Sequence, residues 1–454
     1  MPLGLVITGW ANASALDPTG CDASLRLAST KRSVGTAPAT SAQVGGPMTA
    51  PLERLEPPDI LSPEFARDPY AAYRLLRDEF PLVWHDAMQT YVISRYEDVQ
   101  RAFKDPVFTS ENYAWQLEPV HGRTILQMEG REHSTHRALV APAFRGKALT
   151  EHFGPTIRRN SRELVDAFRA DGRVDLVDAY ATRFPINVIV DMLGLPRTDH
   201  DRFHAWYTSI MGFLGNLAGD EAVAADGLRT KDEFEQYMIP RIRERREHPG
   251  DDLLSTLCAA EIDGESMTDQ EIKAFCSLLL TAGGETTDKA ITSLMANLVA
   301  HPEQLAAVRD DRSLIPAAFA ETLRWSPPVH MIMRQPAEDV ELSGGVVEAG
   351  RTVTCLIGAA NRDERRFDRP EVFDVLRADL DHSRAFSAAA DHLAFCLGRH
   401  FCVGALLSLF EIEVGVGDLL DAMHDIRFAG GEPPPETGVF TRAPARLLLE
   451  FTPS

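Results

Sequence analysis

Residues 395–404 read Phe395, Cys396, Leu397, Gly398, Arg399, His400, Phe401, Cys402, Val403, Gly404. Cys402 is the centre of the stretch, because glycines at 398 and 404 let backbone N–H groups approach a sulfur and a helix-like run begins at Val403. A helix N-terminus and nearby amide donors lower a thiol's pKa and favour a metal-ligating thiolate. By itself, however, a free cysteine reads as a small buried hydrophobe. Zinc is a further alternative, since His392, Cys396, His400 and Cys402 offer four ligands within eleven residues. Structural zinc sites instead pair ligands two to four residues apart and separate the pairs by a longer loop.

Working outward, Thr268, Asp269, Gln270 and Glu271 form a capping-box pattern that opens an apolar run through Phe275, Leu278, Leu279, Leu280, Ile291, Leu294, Met295 and Leu298. The run ends at Pro302. It predicts a helix of roughly thirty residues, about 45 Å long. In its middle stand Ala282, Gly283, Gly284, Glu285, Thr286 and Thr287. Interior glycines cost about 0.8 to 1 kcal/mol each, and threonines bond to the preceding turn, so stability alone does not select this cluster. A tolerated kink is the plain alternative.

A shorter helix is predicted from Ser313, with Pro316 in its first turn and an end before Pro327 and Pro328. It carries Glu321 and Arg324, which share one face and by default make a surface ion pair worth a few tenths of a kcal/mol, of order ~0.3.

The 395–404 stretch resembles the haem-binding signature of the cytochromes P-450, which reads Phe, x, x, Gly, x, His or Arg, x, Cys, x, Gly. Every fixed position of that form is filled. The 282–287 cluster resembles the family's oxygen-binding groove, where a loosened helix leaves room for dioxygen, with Glu285 and Thr286 as the matching acid and alcohol. Glu321 and Arg324 resemble its buried Glu, x, x, Arg pair, which braces the loop carrying the cysteine ligand. Residues 132–137 resemble its His, Thr, x, x, Arg element. These elements, with Arg334, occur in the family's order, and the likeness covers about residues 58 to 453.

The resemblance implies a mainly α fold with a smaller β-rich subdomain, the triangular haem-thiolate prism. It also implies haem b (iron protoporphyrin IX) with Cys402 as metal ligand, and His133, Arg137, Gly283, Arg334, Phe395 and His400 as further haem-binding positions. Two buried propionates require charged partners, which are by resemblance His133, Arg137, Arg334 and His400. The implied reaction is hydroxylation or another oxidation of a mostly apolar small molecule with O2, its electrons coming from a ferredoxin and an NAD(P)H-dependent ferredoxin reductase. The implied pocket draws on Trp115–Leu126, Ile210–Ala218, Leu280–Gly283, Val329–Met333 and Gly438–Thr441, with Trp115, Leu117, Met211, Phe213, Leu214, Met331, Ile332, Met333 and Phe440 as candidate contacts. Such a pocket fits a polyketide, macrolide or terpenoid secondary metabolite. One departure stands out: Cys396 occupies a position where the family most often has glycine, which suits a turn with positive φ. A haem protein that binds a small molecule without oxidising it is the rival reading; retention of Glu285 and Thr286 favours the oxygenase.

Composition agrees. The chain has 454 residues, 44% hydrophobic, enough for one large domain over 58–454. Six cysteines show no disulfide spacing, which points to a reduced, cytoplasmic setting. No stretch of about eighteen apolar residues predicts a membrane span. The net charge of −21 opposes nucleic-acid binding, so an acidic ferredoxin would need a local basic patch, for which Arg399, Arg145 and Lys147 are candidates. Residues 1–57 are rich in Ala, Ser, Thr, Gly and Pro without periodicity, which predicts a disordered tail with Met48 as the start. A bacterial monomer is the expected form. Strand-like stretches are Leu82–Ser94, Val340–Leu342, Arg351–Ile357 and Arg446–Phe451; most of 150–325 and 403–423 reads as helix.

Overall fold

The long helix predicted from the capping box is the axis of the fold. In the computed structural model, which describes residues 55–216 and 219–454, it runs unbroken from Asp269 to Ala300. Thr268 accepts from the Glu271 amide, and Glu271 reaches back to the Thr268 amide, so both orphan donors are satisfied. Buried residues lie on all its sides, as expected of a helix at the centre of a large core. Around it pack the helices Gly154–Asp166, Arg183–Met192, His200–Leu214, Glu221–Glu247, Ile315–Trp325 and Ala405–Ala422. The expected tail and Met48 lie outside the described residues, apart from 55–57, and the Ile210–Ala218 stretch is described only to 216.

The β-rich part is a five-stranded sheet ordered Leu82–His85, Thr90–Ile93, Thr352–Leu356, Met331–Pro336, Phe108–Thr109. Thr352–Leu356 runs parallel to Thr90–Ile93 and antiparallel to Met331–Pro336, with Val353 opposite Arg334. The single strand expected over Leu82–Ser94 is instead a hairpin pairing Leu82 with Ile93. Its turn is closed by the Gln89 amide on the Asp86 carbonyl at 3.2 Å, with Gln89 at φ +50°. The alternation on either side masked the reversal, because Asp86–Gln89 holds none of the glycine or proline that usually marks a turn. The other three strands form at Val340–Leu342, Thr352–Leu356 and Leu448–Pro453. The mainly α fold with a smaller sheet region is therefore as the sequence predicts.

Glu321 and Arg324 are fully buried and joined by two hydrogen bonds of 2.7 Å. Their hold is on residues 361–374. Arg324 donates to the carbonyls of Asn361, Pro370 and Val372, and Glu321 accepts from the Asp374 amide and from Arg377 at 3.2 Å. The expected brace on the cysteine loop is thus indirect. Asn361 passes it on, its Oδ1 accepting from the Leu393 amide at 2.8 Å, two residues before Phe395.

Candidate active site

A cavity with about 1340 Å3 of atom-free space, continuous with solvent, lies between the long helix and the 394–404 loop. Its walls bring together His133, Arg137, Gly283, Thr286, Phe395, His400 and Cys402, seven of the positions predicted from sequence. The long helix contributes Phe275, Leu278, Leu279, Ala282, Gly283, Thr286, Thr287 and Ala290. These recur at three- and four-residue steps and form one stripe. That spacing was the signal that could have extended the site beyond the 282–287 cluster.

The helix after the cysteine begins at Ala405 rather than Val403. Backbone N–H groups of Gly404 and Ala405 favour the Cys402 thiolate, but burial outweighs them and pushes the thiol up to about 11. The expectation of a lowered pKa is corrected on that ground: in a low-dielectric wall, desolvation exceeds what two amides return. Cys396 has φ +54° and also borders the cavity. Among the described residues, no group of three or more His, Cys, Asp or Glu side chains is placed to hold a metal ion, so the zinc tetrad does not assemble.

The two arginines expected at the propionates, Arg137 and Arg334, have no carboxylate partner among the described residues. Arg137 borders the cavity half-buried, and burial disfavours its charge. Arg334 is 4% exposed, lies over the Phe103 ring and donates to the Met333 carbonyl. It does not line the cavity; it stands close enough to His400 to disfavour that imidazolium. His133 packs its ring 4.3 Å from His400, and burial lowers its pKa to about 4. His400 is not free: its Nε2 lies 3.1 Å from both Glu129 Oε1 and Ser110 Oγ. Glu129 went unnoticed in the sequence because the His400 it holds lies 271 residues away. Arg399 also pairs with Glu129, at 2.8 Å, and donates to the Pro106 and Phe108 carbonyls. It is thus removed from the basic patch, while Arg145 and Lys147 remain exposed.

The long helix is not loosened at the expected groove. Thr286 Oγ donates to the Ala282 carbonyl at 2.8 Å within a continuous helix. Glycine there serves close packing as well: a Cβ on Gly283 would stand 2.9 Å from Ile189, and one on Gly284 3.3 Å from the Tyr207 ring. Glu285 does not line the cavity. Its Oε2 accepts from Tyr207, and its Oε1 accepts from Thr441 at 3.0 Å and lies 3.5 Å from Lys289.

None of the nine candidate substrate contacts borders this cavity; Trp115 is 67% exposed. Of the expected stretches, Ile125, Leu126, Ala282, Gly283 and Val329 do. Missed wall residues include Phe144, Ile189 and Glu411. Glu411 is buried with Oε1 unpartnered, and desolvation raises its carboxyl well above the usual range. The walls therefore suit a flat apolar macrocycle whose acidic edge meets Arg137 and His133 and whose centre meets one sulfur.

Comparison with known proteins agrees. The family model described as Cytochrome P450 matches residues 224–444. The chain is 39% identical to pulcherriminic acid synthase of Bacillus subtilis over 86% of this chain and 97% of that protein. It is 33% identical to the cytochrome P450 monooxygenase PikC of Streptomyces venezuelae, covering 81% and 86% respectively. Among solved structures it matches CYP109E1 from Bacillus megaterium in complex with corticosterone, with a TM-score of 0.76 and 29% identity over 85% of this chain and 99% of that one.

Proposed function

Since the chain belongs to the cytochrome P450 family, we propose that it oxidises a mostly apolar small molecule, of the polyketide, macrolide or terpenoid kind, in secondary metabolism. As a family member it is a haem-thiolate monooxygenase that carries haem b, takes a small substrate and O2, and draws electrons from redox partners. The observation that carries the substrate reading is a cavity walled mostly by apolar side chains that holds both Cys402 and Thr286.

Bound there, haem supplies dioxygen activation, and a cysteine thiolate donates electron density that favours O–O cleavage. Cys402 would hold the haem as a thiolate, whose charge the Gly404 and Ala405 amides favour. Arg137, His133 and His400, which line the cavity, would hold the propionates, with Arg334 one layer behind. Phe275, Leu278 and Phe395 exclude water from the wall. Thr286 uses its proton on Ala282 and so faces the cavity with acceptor lone pairs. It relays protons by exchanging that bond, and Glu285 holds the next proton behind it.

In this reading residues 58–454 act as one domain and as a cytoplasmic monomer. No helix among the described residues is long and apolar enough to cross a membrane. The electron donor is a ferredoxin with an NAD(P)H-dependent reductase, docking near the exposed Arg145 and Lys147.

Carbon monoxide difference spectra of the dithionite-reduced protein test the ligand. A strongly red-shifted Soret band is expected, and its survival in Cys402→Ser would remove Cys402 from the role. Coupling tests the acid and alcohol: Thr286→Ala is expected to divert reductant to peroxide, and unchanged product per NAD(P)H counts against it.

A further inference from the structure

Glu285 is reached from outside the cavity by polar groups that the reaction derived above does not use. Asp288 and Lys289 follow it by three and four residues, so the three side chains share one face of the long helix. Lys289 Nζ lies 3.5 Å from Glu285 Oε1 and 3.4 Å from Asp288 Oδ2. Asp288 is 2% exposed and accepts from Thr182 at 3.2 Å and from Thr292 at 3.4 Å. Thr182 in turn borders a second, polar surface cavity, together with Asp175, Asp178, Arg183, His204 and Arg446. In that cavity's wall His204 Nε2 is buried without a protein partner. An orphan of that kind in a polar, open recess is a place for ordered water.

This arrangement is a poor choice for stability, since a buried ion cluster seldom repays its desolvation. It is a good choice for moving charge. One hydroxyl, Thr182, and two titratable groups, Asp288 and Lys289, stand at near contact from the second cavity to Glu285, on the side of the helix away from the apolar walls. Burial also raises the Asp288 carboxyl, so the protonated form is within reach.

We propose that protons reach Glu285 from this second cavity through Thr182, Asp288 and Lys289, a route that rests on reading Glu285 and Thr286 as the pair serving dioxygen. A hydronium in the cavity gives a proton to the Thr182 oxygen as the Thr182 hydroxyl proton passes to Asp288 Oδ2. Asp288 passes a proton to Lys289 as the ammonium releases one to Glu285 Oε1. One proton leaves the hydronium and one arrives on Glu285; Thr182, Asp288 and Lys289 return to their starting states. The three are positioning residues that act through Glu285. Proton supply then needs no opening of the substrate side to water.

The test uses the haem-loaded enzyme and the isosteric variants Asp288→Asn and Thr182→Val. Product formation is expected to fall by at least about tenfold, within the range of general acid–base effects, with a solvent deuterium isotope effect well above wild type. The carbon monoxide spectrum and thermal midpoint should hardly move. A second readout needs no turnover: the infrared carboxylate band that Asp288→Asn removes should be exchanged promptly for a protonated C=O band when the pH is dropped, and Thr182→Val should delay that exchange. Wild-type isotope effects and exchange in Thr182→Val, with Thr286→Ala still uncoupling, overturn the route and leave the underlying reading intact. Unchanged coupling in Thr286→Ala overturns that reading instead. Should Asp288→Asn fail to fold, Thr182→Val alone decides.

Discussion

Cys396 holds a left-handed backbone, φ +54°, one residue past the wall phenylalanine. A Cβ in that region costs about 1–2 kcal/mol relative to glycine, part of which is returned by the greater freedom of an unfolded glycine. Cys396→Gly is therefore expected to stabilise the protein by up to about 1 kcal/mol, read as a higher denaturant midpoint at unchanged slope. Arg334 hydrogen-bonds the Cys396 thiol, and a lower midpoint would mean that this bond outweighs the strain. Gly398 shows the opposite situation. At φ +67°, an added Cβ would stand 2.5 Å from the Phe103 carbonyl oxygen, an atom of another backbone that cannot step aside. Gly398→Ala should cost more than about 3 kcal/mol, in the class of overpacked and strained sites, and abolish haem retention in the purified protein. The signature thus encodes a crossing of two chain segments as well as a ligand.

At the scale of elements, the Glu321–Arg324 helix is the clearest case of a local spacing with a distant purpose. Removing one partner strands a charge that is 0% exposed. Arg324→Ala is expected to cost about 3–5 kcal/mol, with haem occupancy, measured as the ratio of Soret to protein absorbance, falling toward zero. The long helix offers a graded comparison. Gly283→Ala meets only the mobile Cδ1 of Ile189, whereas Gly284→Ala meets the Tyr207 ring and Ile186. Alanine returns about 1 kcal/mol of helix propensity at each. The first should come out near neutral by urea titration and the second destabilising; the reverse order would show that the Ile186 and Tyr207 side yields more easily. Both helices were legible in advance, since caps, prolines and three- or four-residue steps are local signals. The Leu82–Ile93 hairpin was not, because its turn carries no local marker.

For the molecule as a whole, Glu129 joins the loop before the Gly130–Val140 helix to the cysteine loop through His400 and Arg399. Burial alone would raise its carboxyl; bonds from His400 and the Ser110 amide reverse this and lower it from 4.5 to about 2. A depressed carboxylate stabilises the fold above its unfolded pKa and ceases to do so as pH falls through the folded one. Stability should therefore decline as pH drops from about 4.5 to about 2, and Glu129→Gln should flatten that part of the curve. An acid titration of the unfolding midpoint checks this, and a variant curve as steep as wild type would assign the loss to other groups. The effect is modest because the Glu129 side chain keeps contact with solvent, 14% exposed.

Residue order alone determined the ligand candidate Cys402, the long helix and its limits, the Glu321–Arg324 helix, the predominance of α structure and the family likeness. All of these rest on spacings within one turn, one cap or one short loop, where covalent connectivity already dictates which side chains share a face. Tertiary structure decided the rest. It set Tyr207 and Thr441 on Glu285, 78 and 156 residues away, Arg377 on Glu321, and Glu129 on His400. It placed Arg334 behind the cavity wall and raised the Cys402 pKa above its ordinary value. Partners across such separations are chosen when whole elements pack, and burial, which sets the charge each group can keep, exists only once they have.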